Sequence, residues 1–411
     1  MSVLRSPSRG PMRVFSFVGV LLGSTTFTCT ADAPDVAATT EGAVEVDAHP
    51  AISFATVYKA PLVTEGLTGD AAGNLYTAGR SSGPCPVWRI AATDSAVTVV
   101  GTLPAPCSPS GLAFDAAGAL YVTDGSDKIY RLVPDGRNPP TGAVFASGVP
   151  GGNGVAFDRD GNLWVTDGGT GQGRVWRIAP DATVTEVFRV PPLANDVNPS
   201  IVGGGVGRDA RALPPGTVAF SPGGRAANNT LGSVAIVANG IAFDADGDTV
   251  FVADTARGAI WRVRLDRRGN LRSPVGCDTT FAPDTLCLDD LLVEHPILEG
   301  LDGIALDVEG TIWGAANERN ALVKVSRDGS VREVFRNPPD PATQLRNTGP
   351  LEFPTSPVLA SRRVCLAQTD VARRDNFPSA GGEVGAPTAF LAKLSCADHV
   401  AAAPGLRLPI R

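Results

Sequence analysis

The sequence predicts an all-β fold, a six-bladed β-propeller whose blades are four-stranded antiparallel sheets. Three observations support this prediction: one phrase recurs five times, strand-like segments follow each copy, and the copies are spaced at about the length of a propeller blade. The copies read EGLTGDAAGNLYTAG from Glu65, SGLAFDAAGALYVTD from Ser110, NGVAFDRDGNLWVTD from Asn153, NGIAFDADGDTVFVAD from Asn239 and DGIALDVEGTIWGAAN from Asp302.

Each copy predicts the first two strands of a blade. A short apolar strand leads into a D-x-x-G turn, and the strand after the turn alternates with period two, as in LYVTD from Leu120. Third strands are predicted at VWRIA from Val87, KIYRLVP from Lys128, RVWRIAP from Arg174, AIWRVRLD from Ala259 and ALVKVS from Ala321. Fourth strands follow most of them, at VTVVGTL, GAVFASGV, VTEVFRV and VREVFRN.

The spacing of the copies gives the number of blades. Counted from the first glycine of each phrase, the steps are 45 (66 to 111), 43 (111 to 154), 86 (154 to 240) and 63 (240 to 303) residues. The long step contains a stretch rich in Gly, Pro and Asn at about 190–235, which we interpret as an insertion that overhangs one end of the central channel. A sixth, degenerate copy begins near Thr355 with only three strands. The segment Ile52–Ala60 is therefore predicted to be the outer strand of the last blade, where it closes the ring.

Four regions are predicted along the chain: a signal peptide at 1–33, a flexible mature N-terminus at 34–50, the propeller at 51–400 and a C-terminal tail at 401–411. Three arginines precede the apolar run VFSFVGVLLG, a pattern typical of a secretory leader and too short for a membrane span. The protein is therefore expected to be exported, to the periplasm or the extracellular space. Lipid anchoring at Cys29 is an alternative, although TFTC matches a lipoprotein cleavage site poorly.

The charge balance disfavours one class of partner, nucleic acids. The formal net charge is −7, and only four of the 35 basic residues are lysines, so no basic stripe is present and nucleic-acid binding is disfavoured. The expected partner is a small molecule, and the expected assembly is a monomer.

The cysteines indicate disulfides. Removal of the leader leaves Cys85, Cys107, Cys277, Cys287, Cys365 and Cys396. An even number in an exported chain implies disulfide bonds, and six cysteines allow fifteen pairings. The nearest-neighbour set keeps each bond within one blade or its loop. None of the cysteines has the spacing of a zinc site.

The residue in front of the first glycine varies only among side chains that carry oxygen. Propeller geometry places these opening residues around one end of the channel, which we call the channel mouth. Glu65, Asn239 and Asp302 would supply two carboxylates and an amide carbonyl there, a set of hard oxygen donors suited to Ca²⁺, with Mg²⁺, Mn²⁺ or Zn²⁺ as alternatives. The competing interpretation is that these polar residues merely cap a solvated channel. The acids that close the second strands, Asp124, Asp167 and Asp254, are expected to satisfy backbone donors in the next loop.

These phrases resemble the gluconolactonase/regucalcin (senescence-marker-protein) lactonases, over roughly residues 60–400 and most closely at 239–255 and 302–313. By that resemblance, Glu65, Asn239 and Asp302 are the ligands of a divalent cation. The resemblance also implies that Asn153 contacts substrate and that Asp302 is the general base. The insertion at 190–235 and the Cys277–Cys287 segment differ from compact sugar lactonases, which leaves the substrate open.

Together these observations predict a metal-dependent hydrolase that opens a lactone or related ester. The cation would polarise the carbonyl and assist the attack of water. The alternative is a non-catalytic exported propeller that binds a ligand or protein partner, with a structural cation. A third possibility is different chemistry at the same site, because a fold does not fix the reaction.

Overall fold

The structure, a computed structural model, describes residues 52–168, 170–191, 236–279, 281–360, 362–371, 374–376, 392–398, 400–401 and 403–406. These residues form six four-stranded antiparallel sheets, which confirms the predicted propeller. The predicted signal peptide, the flexible N-terminus, residues 192–235 of the insertion and residues 407–411 of the tail lie outside the described residues.

Each of the first five blades is formed by four consecutive strands. Blade 1 contains β2 (Thr68–Gly69), β3 (Leu75–Ala78), β4 (Cys85–Ile90) and β5 (Val97–Leu103). Blade 2 contains β6 (Pro109–Phe114), β7 (Leu120–Asp124), β8 (Lys128–Leu132) and β9 (Ala143–Ser147). Blade 3 contains β10 (Gly152–Phe157), β11 (Leu163–Asp167), β12 (Arg174–Ile178) and β13 (Val184–Arg189). Blade 4 contains β14 (Ile241–Phe243), β15 (Thr249–Asp254), β16 (Ala259–Arg264) and β17 (Leu291–Glu294). Blade 5 contains β18 (Leu301–Leu306), β19 (Ile312–Ala316), β20 (Ala321–Val325) and β21 (Val331–Arg336).

Blade 6 joins the two ends of the propeller sequence. It consists of β22 (Pro354–Ala360), β23 (Arg363–Gln368), β24 (Ala392–Ala397) and, on the outside, β1 (Ala55–Ala60). Strand β1 pairs antiparallel with β24, with Lys59 opposite Lys393. The predicted closing strand is therefore confirmed.

Strand β17 is a difference from the sequence prediction, which assigned no outer strand to blade 4. The strand follows the disulfide-bonded segment Cys277–Cys287 rather than coming directly after β16. Its four residues, LLVE, do not alternate between apolar and polar side chains, so the period-two signal that marks other strands is absent from the sequence.

Short 3₁₀ turns complete the regular structure of the described chain. They span Leu288–Asp290, Pro296–Leu298, Asn317–Arg319 and Arg374–Asn376. Within the described ranges, no helix has the length and apolar character needed to cross a membrane.

The hydrophobic core lies between the blades. Six main clusters of buried side chains are present in the described structure, and each joins two neighbouring blades. Between blades 3 and 4, for example, Trp164 and Phe188 pack with Phe243 and Trp261. Because apolar burial drives folding, each blade depends on both neighbours, as expected for a ring.

The D-x-x-G turns are held by their aspartates. In blade 3, Asp158 accepts hydrogen bonds from the backbone N–H groups of Asp160 and Asn162, at 3.0 and 2.9 Å. Its other oxygen accepts from the indole Nε1 of Trp164 at 2.9 Å, and Trp313 donates to Asp307 in the same way. In blades 3 and 5, one carboxylate therefore organises both the turn and a buried tryptophan.

The six described cysteines form the nearest-neighbour pairs Cys85–Cys107, Cys277–Cys287 and Cys365–Cys396. Of the fifteen possible pairings, the structure therefore has the set in which each bond stays within a blade or its loop. Such pairs are typical of proteins that mature in an oxidising compartment.

Candidate functional site

The first strands of neighbouring blades approach each other closely around the channel. A Cβ atom built on Gly240 would lie 2.6 Å from the carbonyl oxygen of Asp302, and one built on Gly303 would lie 2.7 Å from that of Thr355. The glycines of the first three copies are closer still to the carbonyl of the next opening residue. The glycine recurs because any side chain at that position would collide with the next blade.

Threonine hydroxyls fix the opening residues from the neighbouring blade. Thr123 donates to the carbonyl of Asn153 at 2.7 Å, and Thr166 donates to that of Asn239 at 2.5 Å. Thr355 closes the ring by donating to the carbonyl of Glu65 at 2.6 Å. The backbone of each opening residue is thus anchored, while its side chain is free to vary.

A small cavity lies at the centre of this ring, and we call it the mouth cavity. Its volume is about 70 Å³, and it is lined by residues of all six blades, including Asn153, Asn239 and Asp302. The glycine backbone of each copy and Ser356–Pro357 of blade 6 complete the wall. A cavity of this size has room for a small ion with a few water molecules.

Asp302 and Asn239 form the polar core of the mouth cavity. Asp302 is 6 % exposed, and its Oδ2 accepts a hydrogen bond from Asn317 Nδ2 at 3.1 Å. Asn239 is 1 % exposed and donates from Nδ2 to the hydroxyl of Thr255 at 3.0 Å. Thr255 donates in turn to the carbonyl of Leu301, next to Asp302, at 2.6 Å. Side chains of two blades are therefore held in one connected network.

Burial dominates the electrostatics of Asp302. Desolvation raises the pKa of this carboxyl to about 7, against the opposing effects of hydrogen bonds from Asn317 and Asn239 and of the nearby positive charge of Arg80. A buried carboxylate is costly unless a cation or several donors balance it. The position is therefore suited to a cation.

Glu65 takes a different place from the other predicted ligands. Its carboxylate forms an ion pair with the Nη2 group of Arg80, and its Oε2 accepts a hydrogen bond from the hydroxyl of Ser110 at 3.3 Å. Among the described residues, the lining of the mouth cavity includes Gly66 but not the side chain of Glu65. The structure therefore brings Asn153, Asn239 and Asp302 to one cavity and turns Glu65 toward Arg80.

Two residues of the site were not predicted from the sequence. Arg80 does not open a phrase, and Asn317 follows the end of a second strand, so neither lies at the position that varies among oxygen donors. One signal does mark Arg80. The second strands of blades 2, 3 and 4 close on an aspartate, whereas in blade 1 the closing position is Gly79 and an arginine follows it.

The aspartates that close those other strands have the structural role expected of them. Asp167 accepts from the backbone N–H of Thr170 at 2.8 Å, and Asp254 accepts from that of Arg257 at 3.1 Å. Asp124 differs, because the backbone N–H that it binds, that of Ser108 at 2.9 Å, lies in the loop before blade 2 rather than in the next loop. These carboxylates are committed to the loops, and none lines the described mouth cavity.

Across the described ranges, no group of three or more His, Cys, Asp or Glu side chains is placed to hold a metal ion. The predicted set of Glu65, Asn239 and Asp302 has only two side chains of these types, because its third member is an asparagine. Whether it could bind a metal ion therefore depends on the oxygen donors that it presents. Asp302 and Asn239 supply buried, hard oxygen donors beside a cavity of suitable size, which fits a Ca²⁺-like ion. Glu65 fits this set only after it separates from Arg80.

Comparison with known proteins gives one family. The model of the SMP-30/gluconolactonase/LRE-like region matches residues 214–349. The matched part includes Asn239 and Asp302 but neither Glu65 nor Asn153. No curated protein matches the chain.

Solved structures share the propeller fold at low sequence identity. The calcium-binding protein regucalcin from Agrobacterium tumefaciens is 17 % identical with a TM-score of 0.53, over 87 % of this chain and 98 % of its own. A luciferin-regenerating enzyme is 14 % identical with a TM-score of 0.53, over 86 % and 97 %. The PQQ-bound aldose sugar dehydrogenase from Streptomyces coelicolor is 16 % identical with a TM-score of 0.52, over 84 % and 98 %.

Because those neighbours differ in their named activities, their likeness concerns the fold alone. The family match adds information about sequence for blades 4 and 5. The chain is therefore a six-bladed β-propeller with an SMP-30/gluconolactonase/LRE-like region, and its predicted resemblance to the gluconolactonase/regucalcin family is confirmed.

Proposed function

We propose that the protein is a metal-dependent hydrolase that opens a lactone or related ester at the channel mouth. Glu65, Asn239 and Asp302 would hold a divalent cation, with Ca²⁺ expected. Asn153 would orient the substrate, and Asp302 would accept a proton from the attacking water. The observation that carries the proposal is the buried pair of Asn239 and Asp302 beside one small cavity.

The donor set supports a cation of this kind. Two of the three proposed ligands are buried and already oriented, by Thr255 and by Asn317. Oriented ligands lose little entropy on binding, which favours affinity. Both also lie in the part of the chain that matches the family model, and one structural neighbour is named as a calcium-binding protein.

When bound, a divalent cation supplies a Lewis acid that polarises a carbonyl oxygen. The chain's own residues would do the remaining work. Asn153 can hydrogen-bond a substrate oxygen at the cavity wall. Asp302 can take one proton as the water oxygen bonds to the carbonyl carbon. The ring C–O bond then breaks, and the same proton passes to the departing alkoxide oxygen, which yields a hydroxy acid.

The test combines binding with turnover. Purified protein would be stripped with a chelator and titrated with Ca²⁺ by calorimetry, and hydrolysis of a lactone panel would be followed by acid release. Binding of about one ion per chain, together with ion-dependent hydrolysis, would support the proposal. A chain that binds no divalent cation and hydrolyses no lactone would overturn it.

The Glu65–Arg80 ion pair favours one rival, a non-catalytic propeller that uses the same face to bind a ligand or a partner. In that case the charge of the Glu65 carboxylate is neutralised by Arg80, and this carboxylate needs no metal ion. The rival predicts that Ca²⁺, where it binds, changes only the thermal stability, and that no lactone of the panel is hydrolysed.

A further inference from the structure

Backbone pairing fixes the position of Arg80 at the channel mouth. Its N–H donates to the carbonyl of Val63 at 2.8 Å, and the preceding residue, Gly79, forms a β-bridge with Thr64. Arg80 is therefore held beside the strand entry that carries Glu65. This placement follows from main-chain pairing and does not depend on the choice of a rotamer.

The side chain of Arg80 is directed into the site. Its Nη2 group pairs with Glu65, and its Nε donates to the carbonyl of Pro109 at 3.3 Å, at the entrance of blade 2. The side chain of Glu65 is 12 % exposed and that of Arg80 is 36 % exposed, so the pair is only partly open to solvent. A guanidinium with two anchors of this kind has a defined position.

Arg80 also interacts electrostatically with the other carboxylate of the site, that of Asp302. Its positive charge acts on Asp302, and the charge of Asp302 acts on Arg80 in return. The positive charge of Arg80 therefore acts on both acids of the proposed site, as the charge of a bound cation would. A guanidinium does not give up its proton in proteins, so this charge is permanent.

We propose that Arg80 is a tethered counter-cation that competes with the divalent cation for Glu65. The inference rests on the proposed function, because it concerns the same site. Without metal, Arg80 neutralises Glu65 and keeps it oriented. Metal binding requires this ion pair to open, so the affinity for the ion is lowered by the free energy of the pair.

The experiment measures binding of Ca²⁺ alone, by calorimetry at fixed pH and ionic strength. The proteins are the wild type, Arg80→Gln, and the control Arg336→Gln. Arg336 ends β21, the outer strand of blade 5, and pairs with Asp375 of a 3₁₀ turn. Both side chains are partly exposed, at 23 % and 24 %. Arg80→Gln is expected to bind Ca²⁺ about tenfold or more tightly than wild type, which corresponds to roughly 1.4 kcal/mol. Arg336→Gln should bind as wild type does.

A second background separates competition from a general charge effect. In Glu65→Gln, the pair no longer exists, so adding Arg80→Gln should raise the affinity much less than it does in wild type. An equal gain in both backgrounds would mean that Arg80 acts by overall charge and would overturn the inference. If Arg80→Gln fails to fold, Arg80→Lys is measured instead, and a smaller gain is expected because lysine cannot make both contacts.

The remaining outcomes separate the two proposals. If wild type and Arg80→Gln bind Ca²⁺ equally well, the competition is absent while the metal site stands. If neither binds Ca²⁺, the metal site itself is absent, and the proposed function fails together with this inference.

Discussion

The two halves of the channel mouth use the same repeat for different purposes. The half formed by blades 3, 4 and 5, which we call the amide half, presents Asn153, Asn239 and Asp302 to the mouth cavity. The half formed by blades 6, 1 and 2, which we call the arginine half, contributes no carboxylate or amide side chain to the described lining of that cavity. There, Glu65 is engaged by Arg80 and Ser110.

Both halves have the same backbone frame. The opening carbonyls of both meet the neighbouring blade, through Thr123 and Thr166 on one side and Thr355 on the other. The difference lies in side chains at two points, the opening residue and the residues that end the second strand. The comparison shows that the repeat fixes the backbone position and that the side chains differ at these two points.

The largest effect should come from Asp302→Asn. Loss of the carboxylate removes the proposed proton acceptor and one ligand, so lactone hydrolysis should fall by about 10²–10⁴-fold. The amide keeps an oxygen for the hydrogen bond from Asn317, so the unfolding midpoint should change little. Steady-state kinetics and thermal unfolding check both expectations. Retained turnover would remove Asp302 from the mechanism.

The next effect concerns the frame that the two halves share. Gly240→Ala and Gly66→Ala each place a methyl group against the next blade's carbonyl, and overpacking of this kind costs about 1–3 kcal/mol. Gly83→Ala is the matched control, since the nearest atom to its Cβ is 3.6 Å away. Denaturant unfolding measures the three variants. A harmless Gly66→Ala would show that the arginine half does not use the same frame.

Asn317→Ala tests how the amide half positions its carboxylate. Asn317 is 2 % exposed and donates to Asp302, so its loss should lower kcat about tenfold, or roughly 1.4 kcal/mol, while KM changes little. A purely structural role would instead lower the unfolding midpoint without a selective loss of kcat. Kinetics and unfolding measured on the same preparation separate the two outcomes.

The smallest effect is expected from Ser110→Ala in the arginine half. The mutation removes one hydrogen bond of 3.3 Å to a carboxylate that Arg80 already engages. A single hydrogen bond contributes about 0.5–1.5 kcal/mol to stability. Turnover should stay within about twofold of wild type. A large loss of turnover would show that Ser110 takes part in the chemistry.

The sequence was sufficient for most of the fold because each blade carries the same local signals. Period-two alternation and the D-x-x-G turns identify the strands, and the unpaired segment at Ile52–Ala60 identifies the closing strand. Strand β17 was not predicted, because the disulfide-bonded segment Cys277–Cys287 separates it in sequence from the other strands of its blade. A signal that depends on regular spacing fails where the spacing is interrupted.

The candidate site was predictable only where it coincides with the repeat. The opening position led to Glu65, Asn153, Asn239 and Asp302. The structure places the last three at one cavity and pairs Glu65 with Arg80. Arg80 and Asn317 act through space from the ends of second strands, and no spacing rule connects them to Glu65 or Asp302. Charge pairing of this kind becomes visible only when the strands are in place.

The pairing of strands β1 and β24 has a consequence for the order of folding. Ala55 lies opposite Cys396, so the contact that completes the ring joins segments separated by most of the chain. During synthesis from the N-terminus, strand β1 has no partner until β24 of the last blade has been made. Contacts between distant segments form slowly, because the loop they close must be ordered first. Ring closure should therefore be a late event, and until then β1 is an exposed edge that needs protection from pairing with other chains.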